Sequence, residues 1–298
     1  MIVLATISDM DRLGVVLDLD SGALNALSVR REFFDFTIVG RPPCRPFGIT
    51  WTSTELFIAN NRQLLAFDSE LRYVRTVSNA LQVNSHQIAY QNDRVWVVSP
   101  WTNSLIGLSL CAPQEHVELN LLDQTLRAYV PQSSSEDDDL AHFNSLLWAN
   151  GRLHVAAHGF GRPSFVISHD QKTFQLLGVH CHAGSSIHGL ALCDDELFWL
   201  SSGTGEIRSN RGTALPLSRT GHARGFAMTQ NSFIVAISEF LSRREERCGG
   251  DSWIQVIDRH NLHITAEFHL HDTGSINDLR LLDTFDFAHY VDPFWQSQ

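Results

Sequence analysis

The chain has 298 residues, 43% hydrophobic and 18% charged, with a formal net charge of −11. That balance excludes a disordered chain, and the acidic excess excludes a general nucleic-acid binder, which needs a basic stripe against phosphates. A fold of this length buries roughly 75% of the surface that its unfolded chain exposes, so the core needs no disulfide or metal staple.

The first run, Met1–Ser8, has no basic segment and no small-residue cleavage site, so it reads as a strand rather than a signal peptide. No stretch reaches the ~18 apolar residues of a membrane span. The five cysteines, Cys44, Cys111, Cys181, Cys193 and Cys248, are odd in number and form no CxxC pair. Together these features predict a soluble, reduced, cytoplasmic protein with no membrane partner.

Helical periodicity is nearly absent, and one phrase recurs along the chain: a short strand, a polar turn and a second strand. It appears as Phe47–Trp51 with Glu55–Ala59, His86–Tyr90 with Arg94–Val98, and Asn144–Trp148 with Arg152–Ala156. It returns as His188–Leu192 with Glu196–Leu200, and as Arg224–Met228 with Ser232–Ala236. The turns Gln91-Asn92-Asp93, Ala149-Asn150-Gly151 and Cys193-Asp194-Asp195 carry hairpin chemistry. A sixth copy opens at Asn277.

The aligned starts at 47, 86, 144, 188, 224 and 277 lie 36 to 58 residues apart. That is the length of one four-stranded propeller blade with variable loops. The strand-like runs 2–7 and 14–19 have no inner strand of their own and can complete the last blade, closing the ring and removing its open edges. The expectation is therefore all-β: a single six-bladed β-propeller domain over residues 1–298. A β-sandwich is the alternative, and it leaves the recurring phrase unexplained. Two long gaps, Pro131–Asp139 and Ser242–Gly250, read as surface loops. The first runs directly into His142.

Residues that begin the inner strands of a propeller surround one end of its central channel. The aligned column is Phe47, His86, Asn144, His188, Arg224 and Asn277, with His142 and His222 two residues upstream of their column members and Asp278 next to Asn277. Two residues apart on an extended strand point the same way. Trp101 and Phe143 add an apolar wall. Neutral imidazoles meeting at one point can hold a divalent transition metal. They can instead serve as acid and base, with Arg224 clamping a carboxylate or phosphate. A third reading is purely structural, with these groups bonding the inner strands and channel water.

The remaining histidines divide by position. His154 lies mid-strand, His158 follows the second strand of blade 3, and His180 and His182 flank Cys181 in a predicted loop. His260, His263, His269 and His271 read as outer-strand surface residues. Ser202–Glu206 reads as a β-turn, because a phosphate loop would need a lysine and a following helix.

The run His86–Tyr90, then His142–Leu146, Leu197–Glu206, Ala223–Ala227 and Val235–Phe240 occur in an order that resembles a bacterial family of uncharacterised β-propeller proteins, a domain of unknown function. The resemblance spans about residues 86 to 285 and implies the fold and a shared polar ring, without an activity. The family pattern has Asn-Gly where this chain has Asn144-Ser145. More distantly, the chain resembles the gluconolactonase-like six-bladed propellers, which hold an axial divalent ion through Glu, Asn and Asp; here Phe47 stands where a first carboxylate is expected.

The resulting expectation is an enzyme of hydrolase, lyase or isomerase type acting on a small polar or anionic molecule in the axial pocket. His86, His142 and His188 are its catalytic residues and, with a divalent transition metal as cofactor, its metal ligands. Asn144, His222, Arg224, Asn277 and Asp278 bind substrate, with Asp278 orienting a histidine. The alternative is a non-catalytic propeller that binds a metabolite or a protein partner.

Overall fold

The computed structural model describes residues 1–9, 12–28, 45–60, 62–79, 81, 85–100, 102–112, 115–122, 126, 141–159, 163–241 and 245–282. Trp101, the Pro131–Asp139 loop, Cys44 and the first part of the 242–250 loop lie outside these residues. Strands are numbered in chain order. β1 (Ile2–Ile7), β2 (Arg12–Asp18) and β3 (Leu24–Ser28) come first. Blade 1 is β4 (Ile49–Trp51), β5 (Leu56–Ala59), β6 (Leu64–Phe67) and β7 (Tyr73–Ser78). Blade 2 is β8 (Ile88–Gln91), β9 (Arg94–Ser99), β10 (Ser104–Ser109) and β11 (His116–Asn120). Blade 3 is β12 (Phe143–Ala149), β13 (Arg152–Ala157), β14 (Ser164–Asp170) and β15 (Leu176–Gly184). Blade 4 is β16 (Ile187–Cys193), β17 (Glu196–Ser201), β18 (Glu206–Ser209) and β19 (Ala214–Pro216). Blade 5 is β20 (His222–Met228), β21 (Ser232–Ser238), β22 (Ser252–Asp258) and β23 (Ile264–Leu270). The last strand is β24 (Ile276–Leu281).

These strands form six four-stranded antiparallel sheets, one of them ordered β24-β1-β2-β3. The fold is a six-bladed β-propeller whose sixth blade is built from both ends of the chain. Inner strands begin within two residues of the aligned starts read from sequence. The N-terminal contribution is three strands rather than the two expected; Leu24–Ser28 is short and only partly apolar, so it gave little pattern to read.

Second strands such as Leu56-Phe57-Ile58-Ala59 are buried throughout, because neighbouring blades cover both of their faces. Apolar clusters accordingly lie between blades. Leu4, Leu13, Ile49, Leu56, Ile58 and Phe67 join blades 6 and 1, each such buried side chain contributing about 1.5–3 kcal/mol. Outer strands need cover on one face only, and β11 is nearly all exposed. The sequence's other local expectations divide. His154 is a packed strand residue whose Nδ1 lies 2.8 Å from Ser168 Oγ, and Ser202–Gly205 is the turn between β17 and β18. His180 and His182, expected in a loop, belong to β15. Among the described residues no helix is long and apolar enough to cross a membrane.

The ring is fastened at blade 6. β1 pairs with β24 from Val3↔Leu281 through Thr6↔Asp278. Thr6 Oγ1 accepts from Asp278 N (3.0 Å) and donates to Phe47 O (2.8 Å). The Asp278 carboxylate, fully buried, then accepts from Ile49 N (3.1 Å), Gln87 Nε2 (2.8 Å), Leu279 N (3.0 Å) and Arg280 Nε (3.2 Å). One side chain thus ties blades 6, 1 and 2 together. Burial pushes its carboxyl up, while Arg280 and the other three donors pull it down. Asp278→Ala would leave those donors buried without their acceptor. It should lower the unfolding free energy by about 3–5 kcal/mol in urea titrations, with Asp278→Asn intermediate. An Ala variant as stable as the wild type would remove Asp278 from this fastening role.

Candidate functional site

Four of the six inner strands carry a β-bulge at their first residues. Pairing skips Asn144 between Phe143↔Ala157 and Ser145↔Ala156, and skips Arg224 between Ala223↔Ile237 and Gly225↔Ala236. It skips Gly189 in blade 4 and Asn277 in blade 6. A bulge breaks the two-residue alternation and re-aims a side chain. Asn144, Arg224 and Asn277 therefore face the axis for a reason that strand periodicity does not contain. Gly189 can occupy its bulge because its φ is +60° and because a Cβ there would meet Phe226 Cβ at 2.6 Å.

A small cavity opens on the axis, lined by Phe47, His86, Gln87, Asn144, Ser145, His188, Arg224 and Asn277. Together with the open mouth above it, the space measures about 260 Å³; about 10 Å³ of the interior is open to the centre of a water molecule, room for roughly one. All six residues of the aligned column are present. His142, His222 and Asp278 are not in the lining, so the expected alignment of His142 with Asn144 is broken by the intervening bulge. Trp101 lies outside the described residues, and Phe143 is buried in the packing between blades 2 and 3.

The imidazoles form a row. Phe47 and His86 stand with ring centroids 4.9 Å apart, His86 and His142 4.9 Å, His142 and His158 5.3 Å, and His158 and His188 5.3 Å, all edge to face. His142 takes a left-handed φ of +48°, uncommon for a non-glycine residue, and its carbonyl accepts from His158 N at 3.0 Å. His158, given little weight from sequence, is thus the link between His142 and His188. Counting the hairpin back from the Asn150-Gly151 turn would have found it, once one bulged residue is allowed. His222 stacks instead on Phe240, centroids 4.8 Å apart, and Phe240 is 69% exposed.

Several polar groups of the site also hold the ring together. Asn144 Nδ2 donates to Ile187 O (2.8 Å), and Ser145 Oγ donates to Asn144 Oδ1 (3.0 Å) while accepting from Gly189 N (2.9 Å). Asn277 Nδ2 donates to Ser8 Oγ (3.0 Å) and Pro46 O (2.9 Å), and its Oδ1 lies 3.4 Å from Arg224 Nη1. None of the four donors to the Asp278 carboxylate is a histidine; they belong to the fastening described above. Gln87 Oε1, by contrast, is a buried acceptor with no hydrogen-bond partner among the described residues.

Burial and Arg224 together hold three imidazoles, His158, His188 and His222, uncharged. Burial, then the Arg224 guanidinium and the neighbouring imidazoles, hold His188 well below the usual histidine range. Burial, then His142, Arg224 and His222, bring His158 to about 3. Burial, then Arg224 and Arg247, bring His222 to about 4. At neutral pH these three are neutral, the guanidinium carries a full positive charge, and no carboxylate is among the described residues that line the cavity.

The metal set expected from sequence was His86, His142 and His188. Ligands bound at ~2.1 Å to one ion lie within about 4.2 Å of each other. Among the described residues, the one trio of His, Cys, Asp or Glu whose ligand atoms come within 4.8 Å of one another is Asp251, His269 and His271, away from the axis. As the axial imidazoles stand, they make a row rather than a cage, and they do not fit a shared ion.

No family model matches the chain, and no curated protein matches it. Solved structures do. The fold is similar to a chain in the crystal structure of a nidogen/laminin complex, with a TM-score of 0.64 at 10% identity, covering 93% of this chain and 96% of that one. A protein of unknown function from Bacteroides caccae aligns with a TM-score of 0.63 at 9% identity, covering 93% and 97%. A chain of the mitotic checkpoint complex aligns at 0.54 and 11% identity, covering 93% and 78%. Likeness at these identities shows the propeller fold alone.

The depressed imidazoles have a measurable consequence. A histidine near 6.5 in the unfolded chain and far lower in the fold binds its proton only on unfolding between those values. Stability is therefore full above about pH 6.5 and should fall as pH drops toward about 4, by up to about 1.4 kcal/mol per pH unit for each proton taken up. His154, held at about 4 by burial and Arg152, adds to the same window. Urea unfolding across this range should show the loss, and His158→Gln should make it shallower. A flat profile would contradict the neutral state of buried His158 and His188.

Proposed function

We propose that the protein is a ligand-binding propeller whose axial mouth receives the anionic group of a small polar molecule. The observation that carries this reading is the cavity lining: one guanidinium, two imidazoles and amides, and no carboxylate among the described residues. Arg224 presents a planar fork suited to carboxylate or phosphate, and its side chain is only partly buried. His86 and His188 line the same cavity, with His188 held neutral. Gln87 Oε1 offers an acceptor to a hydroxyl or ammonium on the same ligand. The water-sized interior suits one functional group at the mouth rather than a whole metabolite enclosed within the channel.

A second reading, hydrolase, lyase or isomerase chemistry, is favoured by the continuous row His86–His142–His158–His188. An anion seated at Arg224 would offset the charge that helps keep His158 and His188 neutral. Their affinity for protons would rise, turning one of them into an acid–base group near neutral pH. The row needs no metal for that role.

Thermal unfolding in the presence of small mono- and dicarboxylates and inorganic phosphate tests the site. A ligand at a hundredfold excess over its Kd stabilises the fold by about 2.7 kcal/mol. The expected result is stabilisation of the wild type by at least one member of the panel, reduced tenfold or more in apparent affinity by Arg224→Gln. Equal responses from the two proteins would overturn the role given to Arg224.

A further inference from the structure

The outer half of blade 5 carries a second group of chemically active side chains, separate from the axis. β22 and β23 pair through Ser252↔Leu270 and Trp253↔His269. Leu270 and Ser252 are buried, so side chains alternate and His269, His271, Asp251 and Trp253 share the outward face. Asp251 lies one residue before Ser252, which sets it opposite His271. This pattern is legible as His269-Leu270-His271, a two-residue spacing that puts both imidazoles on one side of a strand end.

We infer that Asp251, His269 and His271 form a site for a divalent transition ion of the zinc class. Asp251 Oδ2 lies 2.7 Å from His269 Nε2 and 3.6 Å from His271 Nδ1, and the two imidazole centroids are 3.6 Å apart. The three ligand atoms fall within 4.8 Å of one another, so a small movement of the two exposed imidazoles and the half-buried Asp251 brings them to ~2.1 Å from one centre. Two imidazole nitrogens and one carboxylate oxygen are the donor set that zinc and its neighbours prefer; calcium and magnesium favour oxygen alone. Three protein ligands leave further positions to water or to a group from another molecule.

The surroundings hold these ligands in place. His269 lies flat on Trp253, with ring centroids 5.0 Å apart and planes 10° apart, and the Arg219 guanidinium sits 4.6 Å over the same indole. Arg219 is itself bonded to Glu267 at 2.6 and 2.9 Å, which fixes the stack. The second oxygen of Asp251 accepts from Asp272 N at 3.1 Å, orienting the carboxylate. Such outer partners raise a ligand's preorganisation and are a regular part of built metal sites. The trio lies at the same end of blade 5 as His222, because Ser238↔His222 and Ser238↔Ser252 continue the register from the inner strand to the rim.

Isothermal titration calorimetry of the full chain with zinc chloride at neutral pH tests the site, with calcium chloride as the contrasting ion. One zinc equivalent should bind saturably and calcium should not. His271→Ala and Asp251→Asn should each weaken zinc by at least the roughly 10–100-fold typical of a lost outer partner. His260→Ala, at an exposed histidine in the turn joining the same two strands, should bind as the wild type does. Because His271 is exposed and Asp251→Asn keeps the oxygen that accepts from Asp272 N, unfolding midpoints of these variants should stay near the wild-type value, so lost binding reads as a lost ligand. Nickel should quench tryptophan fluorescence through the His269–Trp253 stack, and Trp253→Phe should remove the quench while retaining binding. The inference is overturned if no saturable zinc binding appears or if the Asp251 and His271 variants bind as tightly as wild type. Loss of binding only in a His86→Ala/His142→Ala variant would overturn it too.

Discussion

The pairing of β1 with β24 is the constraint on which the molecule depends. Until those strands meet, blade 6 has an open edge and blade 1 has nothing on one of its faces. Once they meet, Thr6 and Asp278 connect blades 6, 1 and 2 through buried hydrogen bonds, and every inner strand acquires a neighbour on each side. The axial cavity is a product of this closure. Its walls are contributed by all six blades, so no smaller part of the chain contains it.

Closure also sets the electrostatics. Six strand starts converge on a space with room for about one water molecule, which removes solvent from side chains that elsewhere would titrate near neutrality. His188 and His158 lose their charge mainly to this burial, with Arg224 adding a repulsion that exposed imidazoles would barely sense. The guanidinium dominates because its own ionisation cannot be suppressed in the same way. Polarity at the centre is therefore asymmetric: one fixed cation among groups that donate or accept hydrogen bonds but do not neutralise it.

The ring architecture was legible because each blade needs the same strand–turn–strand phrase to bury its middle strand, and that need recurs at a readable interval. The aligned column was legible for the same reason, and all six of its members reach the cavity. What periodicity could not supply was the bulges. They break the alternation on which the pairing of His142 with Asn144, and of His222 with Arg224, had rested, so both upstream histidines missed the lining. His158 was hidden by a related limit, since its place opposite His142 depends on counting one unpaired residue. Asp278 shows a third limit. Sequence placed it among the substrate-binding groups, orienting a histidine, but whether a carboxylate faces a ligand or four backbone and side-chain donors is decided by neighbouring blades far away in the chain. The spacing of His269 and His271 lay in plain view, yet its significance needs the partner strand that brings Asp251 across from it.

The division of blade 6 between the two ends of the chain bears on biosynthesis. β1, β2 and β3 leave the ribosome first, while their inner partner β24 begins 269 residues after Ile7. At about 5–20 residues per second the free edge of β1 waits roughly 15–50 s for that partner. Throughout this interval a strand with five buried-type positions presents unpaired backbone donors and acceptors to solvent or to other nascent chains. The blades between can form one after another from local hairpins, but the three-stranded ribbon at the front must remain soluble without them. Arg12 and the acidic groups Asp9, Asp18 and Asp20 cluster at the ends of that ribbon, where charge discourages edge-to-edge association while the rest of the ring is being made.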